Sequence, residues 1–164
     1  MKTISGVPGP RYAALLQLLR TAENLWNSSR VFFGRWDLSP SQFNVLNLLS
    51  KAPGGLSQVE ISRLLIMHRS NATGLIDRLE QRGLLQRRAT PGDRRAYRVV
   101  LTPAARRLLG QILPGYYRLA EQVWDNLPVA RVHQLLADLS HLDANAAQLK
   151  PKLRKQKAES GKQK

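Results

Sequence analysis

The side chains best suited to chemistry in this chain are arginines and small polar residues, and they crowd into its middle. One stretch reads Arg69-Ser70-Asn71-Ala72-Thr73-Gly74-Leu75-Ile76-Asp77-Arg78. Asn71 carries a donor and an acceptor that can meet a base edge together, while the hydroxyls of Ser70 and Thr73 bond bases or phosphates, and Arg69 and Arg78 add cations. Gly74 costs about 1 kcal/mol relative to alanine in a helix interior, a cost that makes sense where backbone must come close to a surface. A second group follows: Arg87 and Arg88, then Asp93, Arg94 and Arg95 beyond Pro91-Gly92. The span from Arg82 to Arg98 holds six arginines and one acid. Planar guanidinium groups on a turn suit phosphate or the strongly negative narrow minor groove of DNA. The chemistry is recognition of a polyanion, and the competing reading of each residue is an ordinary solvated face.

A third group is aromatic. Trp26, Arg30, Phe32, Phe33, Trp36 and Phe43 recur at helical spacing, so they form either core or an apolar cleft whose guanidinium would take an aromatic carboxylate. Bond-making chemistry finds no support. There is no Gly-x-Ser-x-Gly and no His-Glu-x-x-His, and Gly110 to Gly115 continues Tyr-Tyr where a phosphate loop requires Lys-Ser/Thr. His133 and His141, with Asp138 between them, are thin material for a surface metal site. No metal and no cofactor are expected.

The chain has 164 residues and no cysteine, with 26 Lys and Arg against 11 Asp and Glu, a formal charge of +15. One domain of ordinary size fits that length, a polyanionic partner fits the charge, and disulfides or thiolate metal sites are excluded. Pro8, Gly9 and Pro10 break up the N-terminus, and no run approaches 18 apolar residues, so neither a secretory signal nor a membrane span is expected. The expected setting is the cytoplasm.

Apolar residues recur every three or four positions from Tyr12 to Trp36, which predicts one long amphipathic helix. Ser39-Pro40 starts a second helix that Pro53-Gly54-Gly55 ends. Ser57-Gln58-Val59-Glu60 is a capping box opening a third, through Leu65 or Met67. A fourth runs from about Arg69 to Gln81, with Ala72, Leu75, Ile76 and Leu79 inward and Gly83 as its stop. Two short helices joined so tightly form a helix-turn-helix. Residues 84–88 and 97–101 read as strands around a turn-rich tip, a basic wing. Thr102-Pro103 opens a further helix that Pro114-Gly115 should kink or split, and Leu127-Pro128 a last one. From Lys150 onward seven basic residues and one acid predict a disordered tail.

The stretch from Leu38 to Pro103 resembles the MarR family of winged-helix regulators. The resemblance lies in the order and spacing of Arg69 to Leu85, Asp93-Arg94-Arg95-Ala96 and Val100-Leu101-Thr102. It implies a mainly α fold with a small antiparallel β wing. Residues 1–10 would be a disordered N-terminus, 11–149 a single domain and 150–164 a basic tail; within the domain, 38–101 form the DNA-binding lobe and 11–36 and 103–148 the dimerisation helices. Implied partners are double-stranded DNA, a second copy of the chain and a small aromatic or phenolic effector. Recognition would use Arg69, Ser70, Asn71, Thr73, Gly74 and Arg78; the wing would use Arg87, Arg88, Asp93, Arg94 and Arg95, with Asp93 pairing an arginine; the effector pocket would use Trp26, Arg30, Phe33, Trp36 and Phe43. The implied function is a nucleoid-associated repressor of a palindromic promoter. The rival reading is a basic architectural protein that coats DNA without choosing a site.

Overall fold

Prolines and hydroxyl caps set the helix starts. In the computed structural model, which describes residues 9–66, 71–90 and 93–160 and leaves the side chains of 90, 93–96 and 150–160 undescribed, helix α1 spans Pro10–Gly34 with its proline at the first position. Helix α2, Pro40–Ser50, opens on Ser39, whose hydroxyl accepts from Gln42 N–H while the Gln42 side chain accepts from the Ser39 amide. Ser57 and Glu60 make the same reciprocal pair at the start of α3, Gln58–Leu64. Each box satisfies two helix-end amides that would otherwise lack partners, and losing such a cap costs about 1 kcal/mol.

Helix α4, Ala72–Gln81, starts later than the sequence suggests, with Asn71 as its N-cap; residues 67–70, including Arg69 and Ser70, lie outside the described residues. Its end is as expected. Gly83 takes φ +68°, its amide bonds Glu80 O, and the Leu84 amide reaches back to Leu79 O, the paired bonds of a Schellman stop.

Strands β1, Leu85–Thr90, and β2, Asp93–Leu101, run antiparallel with Leu85 opposite Leu101 and Arg88 opposite Arg98. They extend farther toward the tip than composition suggests, because a ladder needs backbone partners rather than apolar side chains. Leu56 adds a bridge that sequence reading did not anticipate, exchanging both backbone bonds with Val99.

Helix α5, Pro103–Trp124, runs unsplit through Pro114. Of the expected kink or split, the split does not occur. Proline removes one hydrogen bond there, but Leu109 and Ile112 before it are buried, and Leu113 and Tyr116 around it pack on the same core. Helix α6, Val129–Ser160, carries helical backbone into the stretch expected to be disordered. Lys, Arg, Gln, Ala and Glu form helix readily even where they cannot form a core.

The chain divides into two compact units, residues 1–116 and 117–164. The first has a core of Phe33, Leu38 and Phe43, four apolar residues of α4 (Ala72, Leu75, Ile76, Leu79), the sheet residues Leu85, Val99 and Leu101, and Ala105, Leu109 and Ile112 of α5. The second comprises the end of α5 and the whole of α6, where Val123, Leu135, Leu136 and Leu142 stand exposed. Among the described residues no helix is long and apolar enough to cross a membrane.

Candidate nucleic-acid interface

The exposed side of α4 is set by its buried side. With Ala72, Leu75, Ile76 and Leu79 each no more than 4% exposed, the helix turns Asn71, Thr73 and Arg78 to solvent. Asn71, although it is the N-cap, makes no capping hydrogen bond with its side chain. Its carboxamide therefore keeps its donors and its acceptor for another surface. Gly74 serves it directly. A Cβ at that position would lie 2.7 Å from Asn71 Oδ1, so the absence of a side chain lets the Asn71 amide lie over the first turn. Beyond the expected close approach of backbone to a surface, the glycine makes room for a neighbouring side chain.

Gln58 was missed by sequence reading. Its Nε2 donates to Thr73 Oγ1 at 2.6 Å, linking the start of α3 to the first turn of α4. No local spacing signals that contact, since the two residues are 15 apart.

Arg87 and Arg88 part company on the sheet. Successive strand residues face opposite sides. Arg87 turns back to α4, where its guanidinium bonds Asp77 Oδ1 and Glu80 Oε2 and its amide donates to Glu80 Oε1 at 3.0 Å. The Asp77 hydrogen bond leads the contributions that hold its pKa above the ordinary arginine value, so the cation is committed to an internal network. Arg88 is exposed and sits opposite Arg98, whose guanidinium is spent on the carbonyls of Gly54 and Gly55 and stands 3.9 Å from Glu60. The backbone of Asp93, Arg94 and Arg95 belongs to β2, while their side chains, and the expected Asp93–arginine pair, lie outside what is described.

Two members of the aromatic group, Phe33 and Phe43, are core, with Phe32 and Trp36 packed partly buried against them. Phe33 stacks on Phe43 with centroids 4.1 Å apart, and Tyr116 packs against both at 5.1 and 5.0 Å. Burial raises the Tyr116 pKa. Trp36 is half-buried against Phe32, Trp26 is half-buried on α1, and Arg30 is exposed. Of the five residues expected around a pocket, only Arg30 lines the cleft beside them, a cavity of about 320 Å³ walled also by Gly34, Asp37, Leu38, Ser39 and Gln42. Its wall mixes polar groups with the aliphatic Leu38 and Pro40, where an aromatic one was expected. Arg82, at the end of α4, donates to the backbone carbonyls of Trp36 and Asp37 and so ties α4 to this corner.

A family model described as MarR family matches residues 36–96. The HTH-type transcriptional regulator PapX of Escherichia coli is 31% identical over 115 residues, 69% of this chain and 70% of that protein. The chain belongs to the MarR family. Transcriptional repressor MprA of Escherichia coli K12 is 32% identical over 91 residues, 56% of this chain and 52% of MprA, so the match spans about half of that relative's length. As a MarR-family chain it also shares its fold with BpsR of Bordetella bronchiseptica, at TM-score 0.74 and 24% identity over 84% of this chain and 98% of that one.

Proposed function

We propose that this MarR-family chain is a homodimeric, sequence-specific DNA-binding transcriptional regulator that represses from a palindromic site. One observation carries the reading: α4 buries one apolar face and turns Asn71, Thr73 and Arg78 outward beside a two-stranded basic wing. A helix of this width fits the major groove, where an asparagine amide and a threonine hydroxyl meet base edges. The charge of +15 favours phosphate contact and fast encounter. Relatives named as a transcriptional repressor and an HTH-type regulator support a regulator over an enzyme. Two copies related by a two-fold axis would offer two α4 helices one DNA turn apart, about 34 Å, which is why the site should be a palindrome. On this reading the protein works in the cytoplasm, on the nucleoid.

A small aromatic acid completes the proposal as effector. DNA binding by BpsR is regulated by 6-hydroxynicotinic acid. The cleft beside Arg30, about 320 Å³, is within the size range of small-molecule sites and has a guanidinium at its edge. Release requires the ligand to favour a dimer whose recognition helices are wrongly spaced for adjacent grooves, because equal affinity for both forms shifts nothing.

The test is binding to the intergenic DNA beside the protein's own gene against a random duplex of equal length, at two salt concentrations, with the mass of the complex recorded. The regulator reading expects two chains per site and a preference of at least about a thousandfold. Equal affinity for both duplexes overturns it in favour of a basic architectural protein, for which the wing and the net charge would suffice.

A further inference from the structure

Gln58 and Thr73 are both exposed, so their hydrogen bond satisfies no group that burial has cut off from water. Each is nevertheless held in place from behind. Ser57 and Glu60 fix the first turn of α3 on which Gln58 sits, and Ile61 and Leu65 anchor that helix in the core. Thr73 lies between buried Ala72 and buried Leu75 in the first turn of α4. The contact is therefore set by the packing of two helices rather than by two side chains drifting together in water.

Its chemistry is directional. A hydroxyl has one hydrogen to give and two lone pairs to offer. Gln58 Nε2 occupies a lone pair of Thr73 Oγ1 from the protein side, which leaves the O–H to be given elsewhere. Building on the sequence-specific reading above, we infer that Gln58 is a positioning residue that fixes the hydrogen-bonding polarity of Thr73. Thr73 then meets the major groove as a donor. It selects a base edge that accepts, guanine O6 or N7 or thymine O4, against the amino group of cytosine. Gln58 thereby takes part in base selection without touching a base.

The experiment is selection of full-length protein against a randomised duplex pool, followed by titration of the enriched site and each of its single-base variants. It compares the wild type with Thr73→Val, Gln58→Met and Gln58→Glu, with melting curves recorded for all four. Thr73→Val should erase the preference at one base pair per half-site, a loss of about three- to tenfold in discrimination. Gln58→Met frees the hydroxyl to rotate, so it should erase the preference at that same base pair and leave the others intact. Gln58→Glu offers only acceptors, draws the Thr73 hydrogen inward and turns its lone pairs outward. Its preference at that base pair should pass to a base with an amino group, on top of a uniform loss of affinity from the added negative charge. A Gln58→Met protein that keeps every preference, or loses one that Thr73→Val leaves untouched, overturns the inference alone. A Thr73→Val protein with unchanged preferences does the same. A wild type that enriches no sequence overturns the regulator reading itself.

Discussion

Arg87 and Arg88 are adjacent in sequence and face opposite sides of the wing, and that divides their work. Arg87 neutralises two carboxylates that α4 would otherwise hold near phosphate, Asp77 and Glu80. Its side chain is 31% exposed, so the network is partly screened. Arg87→Met should lower stability by about 1–2 kcal/mol, read as a lower melting temperature. Arg88→Ala should leave melting unchanged and instead reduce the slope of log affinity against log salt by about one. An Arg87→Met protein that melts like the wild type would return Arg87 to the DNA-facing group. The pKa of Glu60 is lowered, chiefly by the Ser57 backbone hydrogen bond and then by the Ser57 hydroxyl. A carboxyl lowered in the folded state adds stability above its unfolded value, near 4.5, and loses it as pH falls through the lower folded value. The melting-temperature difference between wild type and Glu60→Gln should thus be constant at neutral pH and shrink in acid; a difference independent of pH would refute the assignment. The outward face of α4 was readable from apolar period alone, whereas the Gln58–Thr73 contact was not, because it depends on how two helices cross.

At the scale of elements, caps and stops were the most legible feature. Ser39, Ser57, Gly83 and Thr102 all act where their types suggested, because their hydrogen bonds close within a few residues. The Leu56–Val99 bridge was not legible. It joins the loop after α2 to β2, and Gly55 makes it feasible by adopting φ +77° with its α-hydrogen side pressed against Val99 and Val100. A Cβ there would lie 2.6 Å from both Val100 Cγ1 and Val99 O. Gly55→Ala should cost roughly 2–3 kcal/mol and weaken DNA binding through a displaced wing. Gly54→Ala is the matched control, since a Cβ at Gly54 meets nothing within 4 Å. Equal melting of the two variants would show that the bridge does not constrain the wing. Pro114 does not split α5, because local propensity does not see the burial that holds the helix together around it.

For the whole molecule, the winged lobe was legible because most of its apolar residues are consumed within it, with Val59, Leu64, Ile66 and Tyr97 left exposed. The rest is a matter of apolar faces left in water. Leu15 and Leu19 on α1 are 52% and 58% exposed, and Leu136 on α6 is 63% exposed. Stable subunit interfaces cover such faces, typically burying about 1,200–2,000 Å². Sedimentation should therefore give a dimer mass for the wild type. Leu19→Glu with Leu136→Glu should give monomers that retain helix content and lose specific binding; a double variant that stays dimeric would move the interface elsewhere. Within the winged lobe, one oxygen atom fastens three elements to one another. Thr102 Oγ1 donates to Gly83 O at 2.8 Å and accepts from Ala105 N–H at 3.2 Å, and the Thr102 amide bonds Leu84 O. The stop of α4, the exit of β2 and the first turn of α5 thus meet at Thr102. Removing that one hydroxyl would unfasten three elements together, so a change at Thr102 should be felt at the end of α4 as much as at the start of α5.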